Sequence, residues 1–183
     1  STGANIIQPG PRTHDGLMFE AQPPEEGEKT LALVNEMVAD LSALNESGDD
    51  RCPPEVLQKT WHDDMIWWGP EGIGATYTIE RYAKQHAGPF RAAFKNRTKT
   101  NHLARLAEGH FGGFFGWPNF QAVHEGGLMG MPSSQGEMTG FRVVDIYLRR
   151  DDKLAENWIF IDMLDWMASQ GVDVLGRLAK QQA

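Results

Sequence analysis

From Glu28 to Asn45 the apolar residues Leu31, Val34, Val38, Leu41 and Leu44 return every three or four positions. That spacing predicts an amphipathic helix, ended by the turn-rich "NESGDD". "PPEVLQKTW" predicts a short helix opened by proline, leading into a short strand, "DDMIWWGP", closed by Gly-Pro. "TIERYAKQHAGPFRAAF" is a third helical stretch, with a break expected near Gly88-Pro89. From His102 onward the pattern turns to sheet. "HLARLAE", "HFGGFFGW", "FQAVHEGGLMG", "GFRVVDIYLRR" and "LAENWIFID" are strand candidates, with "RRDD" a tight hairpin loop and "MPSSQGEM" a longer one. Gly112, Gly113, Gly126 and Gly127 fall inside strand patterns, where glycine marks bulges or bends, so the antiparallel sheet should be strongly curved. Asp162 caps a last short helix, "MLDWMASQG", which Gly171 stops. Helices followed by sheet make an α+β layout. Residues 1–27, rich in Gly and Pro and without a period, read as an extended arm before a single domain of residues 28–183. There is no internal repeat.

Alternation along the last two strands sorts their side chains. Val143, Asp145 and Tyr147 share one face with Asn157, Ile159 and Ile161; Val144, Ile146, Trp158 and Phe160 share the other. Both faces are apolar. One can meet the helices; the other calls for a second subunit, which predicts a homodimer or higher homo-oligomer, unless the arm covers it. A carboxylate among apolar side chains is harder to ionise, which suits a general acid or base working near neutrality. Asp145 is the candidate for that role, against the plainer reading of a hydrogen-bonded Asp near a hairpin end.

The formal net charge of −8 argues against nucleic acid or an anionic membrane as partner. No apolar run reaches the roughly 20 residues of a membrane span, and no basic segment precedes an apolar signal core. With Cys52 the lone cysteine, the reading is a cytoplasmic protein without an internal disulfide. The six histidines are scattered, so neither a metal nor a cofactor is called for. Cys52, beside two prolines, is a poor nucleophile candidate; His102 and His110 read as structural, and Asp63 and Asp64 as solvated.

"VVDIYLRRDDKLAENWIFID" resembles the C-terminal signature of the SnoaL-like polyketide (ester) cyclases: V-D-x-x-R, a turn, D-G-K-I, then E-H-W and a closing D. "WHDDMIWWGPEGIG" is similar to their first strand and loop, and "HEGGLMGMP" to their H-x-G-x-x-x-G-x-P hairpin. The match runs from about Trp61 to Gly171. That family belongs to the nuclear transport factor two-like superfamily, so the resemblance implies a cone-shaped sheet wrapped on helices, a deep apolar pocket, and dimers. Cyclases of this family carry their acid/base one position after the E-H-W tryptophan. Here that position is Ile159, and the histidine is replaced by Asn157. Asp145 matches the V-D aspartate and His124 the hairpin histidine.

The resemblance also implies that Trp67, rather than Trp68, faces the pocket. Tyr82 and His86, one helical turn apart, are further substrate-contact candidates, with surface placement an equal alternative for both. The resulting expectation is a cofactor-free enzyme acting on a small apolar or aromatic compound. Asp145 would move the proton while His124 and Asn157 polarise an oxygen; Trp67, Tyr82, His86, Val143, Tyr147 and Ile159 would line the pocket. Aldol-type cyclisation, isomerisation, dehydration and lyase chemistry share that step. The alternative is a non-catalytic small-molecule-binding module.

Overall fold

A computed structural model of the chain describes residues 20–70, 72–98 and 101–182. Most of the arm read for residues 1–27 lies outside the described residues, and the first helix begins inside that range. This helix, α1 (Pro24–Glu46), opens on a proline, whose missing N–H costs nothing in a first turn. It buries Gly27, Thr30, Val34, Met37, Val38 and Ser42, a stripe at helical spacing. Gly48, at a φ of 71°, turns the chain away from the helix end.

After α2 (Pro54–Gln58) and β1 (Trp61–Trp68), the short β2 (Ala75–Tyr77) folds back on β1. Next come α3 (Ile79–Tyr82), a π-helical turn at Ala83–Ala87, and α4 (Gly88–Ala93). The break expected at Gly88-Pro89 is absent. Gly88 stays in right-handed helical geometry and donates its N–H to the Ala83 carbonyl, five residues back. Pro89 cannot donate and its ring crowds the preceding turn, so widening that turn lets the helix continue.

The sheet strands that follow are β3 (Phe94–Lys95), β4 (Ala104–Glu108), β5 (Phe111–His124), β6 (Met138–Arg150) and β7 (Lys153–Ile161). Sheet order is β2-β1-β7-β6-β5-β3, with β4 also on β5. All pairings are antiparallel except β1 with β7, so the sheet is mixed rather than wholly antiparallel. The two strands expected at 110–117 and 120–130 are one long strand, β5, whose register against β6 shifts between Gly116 and Phe120. The glycines act differently from expectation. A side chain on Gly112 would press on Thr30 and Val34 of α1, so this glycine allows close helix–sheet packing. Gly126 and Gly127 lie beyond the end of β5, in the turn before a 3₁₀ segment at Leu128–Gly130. Asp151 and Asp152 alone connect β6 to β7.

Asp162 caps α5 (Met163–Ser169), its side chain accepting from the Asp165 N–H, and α6 (Val174–Gln182) follows. The sheet's inner face divides into two apolar regions: one against α1, α2 and the α3 segment, the other around Phe94, Phe141 and Trp166. No described helix is long and apolar enough to cross a membrane.

Candidate active site

Between the two apolar regions lies a cavity of about 170 Å³. An apolar cavity of roughly 150 Å³ is enough to take up benzene, so this one is sized for a small ring compound.

Its sheet wall is built from the inward positions of three strands. Phe114 of β5, Asp145 of β6 and Ile159 of β7 lie side by side in register, with Tyr147 and Asn157 the next inward pair. Asp145 is therefore held on the central strand of the three. Its carboxylate Oδ1 accepts the Asn157 Nδ2–H at 2.8 Å, and the Tyr147 hydroxyl is within hydrogen-bonding reach of the same group. Burial nevertheless outweighs both donors and pushes the Asp145 carboxyl up to about 7. Asn157 spends its second amide hydrogen on the Ile146 carbonyl at 3.2 Å. Both amide hydrogens are thus committed to protein, one of them to the carboxylate.

The opposite wall comes from β1 and the α3 segment. Trp67 pairs with Asn157 across the parallel strands and points inward, while Trp68 points outward and donates its indole N–H to Glu156 Oε2 at 2.9 Å. The His86 ring stacks on Trp67 at 3.8 Å and 21°, and Tyr82 meets the same indole edge-on at 6.0 Å. Tyr82 and His86 are cavity walls, not surface residues. Burial lowers the His86 ring to about 4, leaving it uncharged at neutrality. Burial, helped by the charges of Cys52 and Asp145, raises the Tyr82 hydroxyl, which stays protonated. The wall is flat, aromatic and neutral.

Two further groups reach the cavity without chemistry to offer. Burial raises the Cys52 thiol, which keeps it from acting as a nucleophile. Arg91 is tied by hydrogen bonds to the Leu44 and Asp49 carbonyls and to Asn45 Oδ1, clamping the loop after α1. Among the described residues, no group of three His, Cys, Asp or Glu side chains is placed to hold a metal ion.

Of the residues singled out in the sequence, Trp67, Tyr82, His86, Val143, Asp145, Tyr147, Asn157 and Ile159 all line the cavity. His124 does not. It is fully buried between Phe94 and Trp166, its Nδ1 is 3.0 Å from the Pro132 carbonyl and 3.2 Å from Gln170 Oε1, and its backbone holds Ser133 and Ser134. It fastens the hairpin to α5 and lies outside the site. His102, read as structural, does line the cavity, and so does Asn119, which carried no signal in the sequence.

No protein-family model and no curated protein matches the chain. Solved structures do. TsrD from Streptomyces laurentii superposes with a TM-score of 0.60 at 20% identity, over 76% of this chain and 96% of that one. A protein of Jannaschia sp. CCS1, described as a candidate SnoaL-like polyketide cyclase, gives 0.59 at 16% identity over 82% and 99%. The chain has the SnoaL-like, nuclear transport factor two-like fold. IdmH of Streptomyces antibioticus, described as a candidate polyketide cyclase, gives 0.57 at 20% identity over 75% and 98%. At these identities the likeness establishes the SnoaL-like fold and carries no residue role with it.

Proposed function

We propose that the protein is a cofactor-independent enzyme that moves a proton on a small apolar or aromatic carbonyl compound, with Asp145 as the acid/base. The observation that carries this reading is a carboxyl group sealed in an apolar cavity, oriented by Asn157 and Tyr147, and half-ionised near neutrality. A group poised there removes a proton next to a carbonyl as carboxylate and returns it as acid. Cyclisation of aldol type, isomerisation, dehydration and lyase reactions all pass through that step. The Trp67–His86 stack supplies a plane against which a ring can lie.

The test is exchange of the carbonyl-adjacent hydrogens of 2-tetralone in D₂O, followed by NMR. The wild type should accelerate exchange, and Asp145→Asn should lose about 10²- to 10⁴-fold of that acceleration. A variant that keeps the wild-type rate would remove Asp145 from the chemistry. A ligand that binds without exchange would point to a binding module instead. We also infer that the outer sheet face, where Phe115, Val144 and Phe160 are exposed, pairs with a second copy of the chain in a homodimer.

A further inference from the structure

On the β5 side of Asp145 the cavity carries a second polar pair, to which the proton step above gives no role. Asn119 is 1% exposed, and its Oδ1 accepts the Val143 N–H at 2.8 Å. A backbone N–H can only donate, so the amide oxygen must face it and the amide nitrogen must face the other way. That nitrogen lies 2.8 Å from His102 Nδ1. Nδ2 carries hydrogens, so Nδ1 accepts, and the single proton of the neutral ring sits on Nε2. Burial, with the Arg105 charge adding to it, lowers the His102 ring to about 4, so the neutral form holds at physiological pH.

The ring's position is fixed as firmly as its tautomer. His102 stacks on Phe114 at 3.6 Å and 22°, and Phe114 is the register partner of Asp145. The backbone at Asn101 runs so close to β5 that its carbonyl oxygen lies 2.3 Å from where a Cβ on Gly116 would sit. His102 lines the cavity, and its Nε2 makes no hydrogen bond to a described residue. The ring thus lies over the strand neighbour of Asp145 in the same cavity, so a bound compound can set a C–H on the carboxylate side and a carbonyl oxygen on the imidazole side.

We propose that His102 donates its Nε2–H to the oxygen of the bound carbonyl compound, and that Asn119, oriented by the Val143 N–H, is the positioning residue that fixes the ring in the donating tautomer. The assignment rests on reading Asp145 as the base and deepens it. When the carboxylate takes the carbon-bound proton, the C–H electron pair moves into the adjacent C–C bond. The carbonyl pair moves onto oxygen, where the imidazole N–H meets the growing charge. A neutral donor suits this role, because it stabilises that charge without first forming an ion pair with the carboxylate. The substrate class narrows to compounds with an oxygen two bonds from the carbon that loses the proton.

The probe is 2-naphthol, which has the shape of the enol of 2-tetralone. In the wild type, nitrogen NMR of the ring should show His102 protonated on Nε2, and adding 2-naphthol should move that signal. By calorimetry, His102→Leu should loosen 2-naphthol about tenfold, whereas His102→Gln, whose amide can donate from a similar place, should stay within about threefold. Asn119→Asp keeps an acceptor for the Val143 N–H but draws the ring proton to Nδ1. Where NMR shows that ring uncharged, 2-naphthol should again bind about tenfold more weakly. An Nδ1-protonated ring in the wild type would overturn the assignment, as would an unmoved Nε2 signal on binding or a His102→Leu variant that binds like the wild type. Loss of exchange in Asp145→Asn alongside an unresponsive His102 would sink this proposal and leave the base standing. A responsive His102 in a protein that exchanges nothing would do the reverse, and failure of 2-naphthol to bind at all would count against both.

Discussion

Folding itself should report the burial of Asp145. In an unfolded chain this carboxyl titrates at 3.8, and in the folded protein it is held up at about 7. Between those values the folded state binds more protons than the unfolded one, so stability falls as pH rises through the window. This is the reverse of a salt-bridged aspartate, whose contribution is lost on acidification. Integrated from about pH 5 to about pH 8, the difference amounts to about 2 to 3 kcal/mol of lost stability from this one group. For a chain of this length that corresponds to a fall of roughly 5 to 10 °C in Tm. Asp145→Asn has nearly the same shape, can still accept from Asn157, and is neutral at every pH, so its Tm should lack this component. Thermal melts of both proteins across that range isolate the effect, since every other titrating group is common to the two. The wild type should lose ground to the variant as pH rises. A difference between the two that stays flat with pH would show that Asp145 titrates as in water and would refute the burial argument.

Asn157→Leu removes the donor that partly offsets burial, so the pH midpoint of 2-tetralone exchange should rise by about one unit; a midpoint left in place would show that the 2.8 Å contact does not tune the carboxyl. Phe160 is 61% exposed, so Phe160→Glu should leave the monomer fold intact while shifting sedimentation from dimer to monomer, and a monomeric wild type would refute the pairing of the outer face.

What the sequence made legible was local. The inward set Val143, Asp145, Tyr147 and its partners Asn157, Ile159, Ile161 could be read because β6 and β7 alternate without interruption over 143–148 and 156–161, the register shift next to the turn falling outside that stretch. Parity put Trp67 and Trp68 on opposite faces, and the SnoaL-like resemblance, not the pattern, chose Trp67 for the pocket. The third strand defeated the method: β5 changes register between Gly116 and Phe120, so alternation counted from Phe111 does not predict where Asn119 points. His102 was missed for a related reason. It precedes β4, and only the close backbone approach at Gly116 brings it over Phe114. His124 failed in the opposite direction, because a motif position was taken as a role. Its strand carries it beyond the cavity into the packing against α5, where Gln170 and the Pro132 carbonyl occupy its Nδ1. The helical break misread at Pro89 shows that proline need not end a helix when the preceding turn can widen by one residue.

The strict parity of β6 and β7 also says where this chain tolerates editing. Adding or deleting one residue between Phe141 and Leu148, or between Glu156 and Ile161, would exchange the two faces from that point onward, carrying Asp145 or Asn157 to the outside and Val144 or Phe160 into the cavity. Insertions of any odd length there should therefore erase the site even where a sheet still forms. The Asp151–Asp152 turn and the exposed stretch at 135–137 carry no such bookkeeping. Grafted loops, affinity tags or reporter domains belong at those two places.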